Sequence, residues 1–405
     1  MYSIINILFS NFSPAWYAVI MGTGALGSLF DIFPYGGHSR VTEGFALGFF
    51  FLNFVLFCVF LALSLYCLVI YPKAWLILLQ HPVYSLYLGC VPMGMATLIN
   101  VALVSAHQYW GFGGMGFVYT LWAFWWLDGI ISFLCTYGLI FLMATRHKQT
   151  MSTFTPLWLL PVVTLIVASS TGQLLATRIL QSNTPHALLT MGISVLMLFT
   201  GLVLALMIMT VYLSRIIIEG FPDINLIISS FIPLGPCGQG AISLLITGQN
   251  FKQVMPYGYG IVLGDEMSGR IINVICLTAA MALWVLGIWW LVMGLVAIID
   301  VLLRGGKIPF KTSFWGIVFP NAVEAFATCQ LGDALDAKFF RVLGAMYAAA
   351  VLLLWIILAI PTLFRVLDKS IFEAPYLADQ DLLELAGQSQ RRKQERERRD
   401  NGDIT

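Results

Sequence analysis

Charged residues are scarce in this sequence of 405 residues. They make up 10% of the chain against 59% hydrophobic residues, and the mean hydropathy is +0.87. A soluble domain carries about 25% charged residues, so this chain cannot cover its surface with ionised groups. The scarcity excludes a soluble enzyme, a nucleic-acid-binding protein and a disordered chain. The apolar runs are about 20 residues or longer, which predicts an all-α membrane protein rather than a barrel of short alternating strands.

Patterns typical of metal sites and catalysis are also lacking. The seven cysteines are scattered through apolar runs, none forms a CxxC pair, and no Cys/His cluster has zinc spacing. There is no HExxH or GxSxG motif. The run 22-GTGALG-27 matches GxGxxG by letter, but it lies inside an apolar helix, where close helix packing is expected. We therefore expect no enzymatic activity, no cofactor and no metal.

Ten apolar runs separated by polar breaks predict ten transmembrane helices, which we number spans 1 to 10. They run over 14–33, 44–70, 83–106, 116–143, 157–180, 186–213, 224–248, 271–303, 312–332 and 338–365. The expected organisation is a short N-terminus (1–13), a transport domain of ten helices (14–365) and a charged tail (366–405). Basic residues are modestly more frequent in the loops after even-numbered spans, and the tail carries the cluster 391-RRKQERERR-399. Both termini are therefore predicted to be cytoplasmic.

Proline distinguishes the odd-numbered spans from the even-numbered spans. Every odd span contains proline, whereas the even spans have none until Pro361, near the end of span 10. A proline removes a helix hydrogen bond, and in lipid the carbonyl it frees needs a partner inside the protein. We therefore expect five αα-hairpins, with bent, glycine-rich odd spans around a central pore and straight even spans facing the lipid.

The pore is expected to be neutral, because no odd span has a Lys or Arg near its middle. An anion would then be held by backbone N–H groups and neutral side chains, which favours weak binding and throughput over tight binding. The candidate pore donors are Thr23, Asn100, Thr171, Gln173 and Gln239.

The segment 233-PLGPCGQG-240 is the most irregular part of the predicted spans. Two prolines and three glycines in eight residues predict interrupted helix, whose exposed backbone groups can bind an ion. Gly235 and Gly238 are accordingly candidate substrate-binding positions. The alternative is a kink whose backbone groups are satisfied by neighbouring helices.

Acidic residues within the spans are candidate functional groups. Glu324 lies on span 9, and two interpretations stay open for it: a proton-coupling site, or a packing acid paired with an Arg or Asn. Asp128 lies on span 4, an even span, which favours a structural role. Phe319 precedes Pro320 on span 9. If its side chain points inward, it would gate the pore by steric block or dewetting, although on composition alone a packing role is simpler.

Several segments together resemble the tellurite-resistance/dicarboxylate transporter family, which includes slow anion channels, malic acid transporters and sulfite efflux pumps. The segments are 12-FSPAWYAVIMGTGALGSLF-30, 91-VPMGMATLIN-100, 122-WAFWWLDG-129, 156-PLWLLPVVTLIVASSTGQLLA-176, 233-PLGPCGQG-240, 314-FWGIVFP-320 and 340-FRVLGAMY-347. As a set they are specific, and within the family the likeness is greatest to the fungal sulfite efflux branch.

The resemblance implies five helical hairpins around a pore, a gating phenylalanine at the position of Phe319, and three protomers together. The expected partners are a small inorganic or organic anion, the lipid bilayer and two further copies of the chain. Three functions stay open: efflux of sulfite or bisulfite across the plasma membrane, transport of a C4-dicarboxylate such as malate coupled to protons through Glu324, and passive conduction of chloride or nitrate. The lack of a cation in the middle of the pore counts against a dicarboxylate, which usually attracts an Arg.

Overall fold

The computed structural model describes residues 13–36, 39–70, 72–147, 149–258, 260, 264–368 and 370–371. All regular secondary structure in these residues is helical, which confirms the predicted all-α class. The basic cluster of the tail and nearly all of the predicted N-terminal segment 1–13 lie outside the described residues.

Helices occur at all ten predicted positions, and we keep the span numbers for them. The odd spans are span 1 (Pro14–Trp16 and Tyr17–Asp31), span 3 (Tyr84–Gly89, Cys90–Val101 and Ala102–Tyr109), span 5 (Pro156–Leu159 and Leu160–Ile179), span 7 (Ile227–Phe231 and Leu234–Val254) and span 9 (Thr312–Ile317 and Val318–Ala334).

The even spans are longer, and a short helix that the hydropathy pattern did not predict, Pro72–Gln80, follows the first of them. The even spans are span 2 (Arg40–Ile70), span 4 (Gly114–Phe133, Leu134–Leu139 and Ile140–Thr145), span 6 (Thr184–Glu219), span 8 (Glu266–Leu303) and span 10 (Lys338–Leu367).

The odd spans share one construction, in which a short 3₁₀ helix leads into the main α-helix. Their prolines lie at this junction: Pro14 and Pro156 open the 3₁₀ helices of spans 1 and 5, and Pro92 and Pro320 lie in the first turn of the α-helices of spans 3 and 9. A proline in the first helical turn removes no intrahelical hydrogen bond, because the N–H groups there have no partner within the helix. The prolines of the odd spans therefore lie near the starts of these spans, where each 3₁₀ helix leads into its α-helix.

The segment 233-PLGPCGQG-240 follows the same rule. It is regular α-helix from Leu234 onward, and the interruption lies before it, between Phe231 and Leu234. The expected unwound backbone over the whole segment is therefore wrong. Pro236 is accommodated because it lies in the first turn of its helix, where its missing N–H group costs no hydrogen bond.

Burial separates the two classes of span as predicted. In the most apolar stretch of 18 residues, all residues of span 7 and 94% of those of span 5 are buried, against 17% in span 2 and 22% in span 10. The even spans expose large apolar side chains such as Phe51, Leu196 and Ile275, which suit a lipid surface. This confirms that the odd spans lie inside and the even spans outside.

The five odd spans form a closed ring, because span 1 packs against spans 3 and 9, span 5 packs against spans 3 and 7, and span 7 packs against span 9. Each odd span also packs against the even span that follows it. Eight helices of the described chain are long and apolar enough to cross a membrane. The α-helical parts of spans 1 and 9 have 15 and 17 residues, so the count of ten crossings in five hairpins stays a prediction.

Glycine permits the close approach of spans 7 and 9, which allows a test of this packing. A Cβ atom at Gly238 would lie 2.7 Å from the backbone nitrogen of Glu324, whereas one at Gly235 would have no atom within 4 Å. Gly238→Ala should therefore lower the free energy of unfolding by about 1–3 kcal/mol, because backbone must move to make room. Gly235→Ala is the matched control. Thermal unfolding in detergent measures both, and equal melting temperatures would contradict this packing.

Candidate functional site

A cavity of about 430 Å³ lies within the ring of odd spans, and we call it the main cavity. Its wall is made by residues of all five odd spans and by Ile32, which follows span 1. On span 7 the lining residues are Gln239, Ile242, Ile246 and Gln249, a spacing that places them on one face of the helix. The five helices thus each present one face to a shared space.

The polar part of the main cavity is almost entirely neutral. Amide and hydroxyl side chains line it, including Asn100, Ser170 and Gln239, and among the described lining residues the charged ones are Asp31 and Asp333. No Lys or Arg of the described chain lines this cavity. The described wall of the main cavity therefore lacks cations, and its ionisable lining residues are acidic.

Two of the predicted pore donors line the main cavity. The Gln239 amide Nε2 donates to the hydroxyl of Ser170, which in turn donates to the carbonyl of Val167 at 2.9 Å. The Asn100 side chain makes no hydrogen bond to another described residue, and its Oδ1 is buried. The Asn100 amide thus offers N–H groups that are not already engaged.

The other predicted donors contact neighbouring helices instead. Thr23 accepts a hydrogen bond from Trp355 Nε1 of span 10 at 3.1 Å. Gln173 Nε2 donates to the carbonyl of Met191 at 3.3 Å, and its Oε1 accepts from Asn250 at 3.0 Å. The hydroxyl of Thr171 is buried without a hydrogen-bond partner in the described chain, and Thr171 does not line the main cavity.

The two glycines of span 7 have different surroundings. Gly235 has open space beside it, since no atom lies within 4 Å of the position of a Cβ, but it does not line the main cavity. Gly238 packs directly on the backbone of span 9 at Val323 and Glu324. Of the two, Gly235 is the one with room beside it for a small ligand.

Phe319 lies at one end of the main cavity and is only 2% exposed. A second, small cavity of about 10 Å³ lies nearer the starts of the odd spans and is lined by Met21, Cys90 and Gly316 among others. Gly316 precedes Phe319 by three residues, and Ala322, which lines the main cavity, follows it by three. Phe319 therefore lies between the two cavities along span 9, with Pro320 in the first turn of the same α-helix.

A third cavity of about 310 Å³ opens at the starts of the odd spans, and we call it the vestibule. Tyr87, Asn225, Leu226 and Ser313 line both the vestibule and the small cavity, so the two adjoin each other. The vestibule, the small cavity and the main cavity therefore follow one another along the axis of the ring, from the starts of the odd spans toward their ends. Phe319 marks the interruption between the last two.

The carboxyl group of Glu324 lies away from this row of cavities. Its side chain packs on Gly287 of span 8, and both carboxyl oxygens are buried without a hydrogen-bond partner in the described chain. Asn321, one turn earlier, is engaged elsewhere: its Oδ1 accepts from the hydroxyl of Tyr347 at 2.8 Å. Asp128 on span 4 is likewise fully buried, with both carboxyl oxygens unpartnered in the part of the chain that the structure describes.

One group of polar residues was missed by the sequence reasoning. The hydroxyl of Ser105 on span 3 forms hydrogen bonds with Asp31 Oδ1 and, at 2.9 Å, with Glu43 Oε2. All three residues are buried, and Asp31 lines the main cavity. Asp31 lies within the predicted span 1 and Glu43 lies one residue before the predicted span 2, so an acid at each of these helix ends was the signal in the sequence.

The comparisons with known proteins agree with the sequence motifs. The model of the family described as SLAC1, voltage-dependent anion channel, matches residues 11–363. The sulfite efflux pump SSU1 of Arthroderma benhamiae is 32% identical over 371 residues, which cover 90% of this chain and 94% of that protein. The sulfite efflux pump SSU1 of Candida albicans is 27% identical, covering 86% and 72%. The malic acid transport protein of Schizosaccharomyces pombe is 21% identical, covering 86% and 77%.

Thiol labelling tests which predicted donors face the main cavity. We expect Asn100→Cys to gain one further equivalent of a small, charged methanethiosulfonate reagent relative to the unsubstituted protein, because Asn100 lines a cavity wide enough to admit it. Thr23→Cys is the matched control and should gain none, because residue 23 faces span 10. Mass spectrometry of the intact protein gives the count. Equal labelling of both variants would contradict the assigned cavity wall.

Proposed function

We propose that this chain, which belongs to the SLAC1 voltage-dependent anion channel family, exports sulfite or bisulfite across the plasma membrane. Membership of the family makes the chain a multi-pass membrane anion transporter, and its family and relatives are transporters or channels rather than enzymes. The choice of substrate is supported by the two sulfite efflux pumps at 32% and 27% identity.

The observation that carries this proposal is the row of cavities along the ring of odd spans, interrupted at Phe319. A bulky aromatic side chain blocks a narrow passage sterically, and its apolar surface also disfavours water there. We assign Phe319 as the gate and Pro320 as the residue that helps to fix the start of its helix. Movement of one side chain would then join the cavities into a pathway for a small anion.

A neutral wall suits a small anion that must leave as readily as it enters. In our proposal the amides of Asn100 and Gln239 and the open backbone beside Gly235 contact the anion in passing. Neutral N–H donors hold an anion less tightly than a buried Lys or Arg would, so the pathway favours throughput. The side chains of Thr23, Thr171 and Gln173 do not line the main cavity. In our proposal they stabilise the packing of the helices that form its wall.

Topology and assembly complete the proposal. With both termini cytoplasmic, as the loop charges predict, the vestibule opens to the cytoplasm and the far end of the main cavity opens outside. The residues 14–365 form the transport domain, and the charged tail 366–405 follows it in the cytoplasm. From the family resemblance we further propose a homotrimer embedded in the bilayer, with one pathway in each copy.

Transport of a C4-dicarboxylate is the second candidate, and the malic acid transport protein among the relatives favours it. In that case Glu324 would couple transport to protons. Two observations rank it second: no cation of the described chain lines the main cavity to meet a second carboxylate, and the Glu324 carboxyl packs on span 8 rather than on the cavity.

The gate assignment predicts the effect of shortening one side chain. Phe319→Ala should raise sulfite flux into proteoliposomes by about tenfold, equivalent to removing about 1.4 kcal/mol from the barrier. Phe326→Ala is the matched control, because Phe326 lines the main cavity without separating it from the small cavity. The control should leave the flux near that of the unsubstituted protein. An unchanged flux in well-folded Phe319→Ala protein would end the gate assignment.

A second substitution separates the two candidate functions. Under our proposal, Glu324→Gln keeps transport and its response to a pH gradient, because the carboxyl does not reach the main cavity. A proton-coupled dicarboxylate carrier should instead lose its dependence on the gradient. Asp128→Asn controls for removing a buried carboxyl elsewhere. The measurement is anion uptake with and without an imposed pH gradient, and loss of the dependence only in Glu324→Gln would favour the second candidate.

A further inference from the structure

We propose that the vestibule is an anion-loading site, in which Tyr87, Lys311 and Arg365 bind sulfite or a similar small oxyanion before it reaches Phe319. This inference rests on the proposed function and adds a second binding position to it, on the other side of the gate from Asn100 and Gln239.

The charge of the vestibule supports this inference. Among its described lining residues, Lys311 and Arg365 are charged and no Asp or Glu is present. The main cavity has the opposite character, since its charged lining residues are Asp31 and Asp333. A cavity with cations alone concentrates anions at its entrance. The pathway is therefore cationic at one end, neutral in the middle and acidic at the other end.

The two cations are held differently. Arg365 Nη1 donates to the carbonyl of Phe310 at 2.8 Å, and its guanidinium lies 5.0 Å from the centre of the Phe310 ring. These contacts fix the guanidinium at the vestibule wall and leave further N–H donors for a ligand. The Lys311 side chain is half-buried and has no hydrogen bond or ion pair with another residue of the described chain. Its positive charge is thus not neutralised by a neighbour.

Tyr87 provides the independent sign of a ligand. The residue is 5% exposed and lines both the vestibule and the small cavity behind it. Its hydroxyl makes no hydrogen bond to another described residue and is not sealed off from the cavities that the residue lines. A sulfite oxygen is an acceptor that would satisfy it. Tyr87 is therefore placed to receive the anion from the two cations and pass it toward the gate.

The difference between the two ends has a consequence for direction. Anions are attracted to the end that carries Lys311 and Arg365, whereas no Lys or Arg of the described chain lines the main cavity beyond the gate. At low anion concentration the chain should therefore load more readily from the vestibule. With the vestibule facing the cytoplasm, this asymmetry helps the chain to load cytoplasmic anion at low concentration, while the electrochemical gradient of the anion sets the direction of net flux.

The test measures the half-saturating sulfite concentration from each side, in proteoliposomes sorted by orientation. Lys311→Gln should raise it about fivefold from the vestibule side at low ionic strength, and the effect should shrink when an impermeant salt is added. Tyr87→Phe should raise it by about threefold or more at any ionic strength, because it removes a hydrogen bond and no charge. From the opposite side both variants should match the unsubstituted protein.

Matched controls guard against misfolding and general charge effects. Lys307→Gln removes a positive charge from the same loop at an exposed position that does not line the vestibule, and it should have no effect. Lys311→Arg keeps the charge and should restore loading. If Lys311→Gln and Tyr87→Phe both behave like Lys307→Gln while the unsubstituted protein passes sulfite, the loading site is wrong and the proposed function stands.

A binding measurement keeps the two proposals separable. Sodium sulfite should raise the melting temperature of the unsubstituted protein in detergent, because a ligand stabilises the state that binds it. The increase should be smaller in Lys311→Gln and in Tyr87→Phe. If the unsubstituted protein passes no sulfite but shows this pattern, the loading site stands and the proposed function fails. No increase in any variant would overturn the loading site.

Discussion

The structure depends on one constraint, which is that backbone N–H and C=O groups in hydrocarbon must find hydrogen-bond partners inside the protein. The odd spans contain irregular backbone where each 3₁₀ helix meets its α-helix. Backbone of this kind is favoured inside the protein, and the odd spans form a ring that the even spans cover. Apart from Pro185 in the first turn of span 6, the even spans carry no proline until Pro361. The inside position of the odd spans, and with it the place of the cavities, follows from this division.

Within the ring, the lining residues change along the axis in a way that suits anion passage. Cations line the vestibule, neutral amides such as Asn100 and Gln239 line the middle, and Asp31 lies toward the far end. The cations that attract an anion thus lie where it enters, in the vestibule. The weaker, neutral contacts lie in the main cavity, where the anion must be released again. Phe319 lies between the first and second parts, where a single side chain decides whether the cavities connect.

The sequence predicted well which spans lie inside and which lie outside. Proline interrupts regular helix, so its positions indicate which spans contain irregular backbone and must be buried in the protein. It predicted the facing of single side chains poorly: Asn100 and Gln239 line the main cavity, but Thr23 and Gln173 contact other helices. The odd spans are buried on every side, so they carry no amphipathic pattern to show which face lines the pore. The hydrogen bonds of Ser105 could not be predicted from the sequence either, because its partners lie 74 and 62 residues away in the chain.

The central claim is that a pathway along the odd spans, whose main cavity no Lys or Arg of the described chain lines, passes a small anion. The most direct measurement is competitive uptake into proteoliposomes, with sulfite against malate and with and without a pH gradient. The account predicts sulfite flux that malate does not inhibit and that needs no gradient. Malate flux that requires the gradient and competes with sulfite would contradict it, because a main cavity that no described Lys or Arg lines would then be carrying a dicarboxylate.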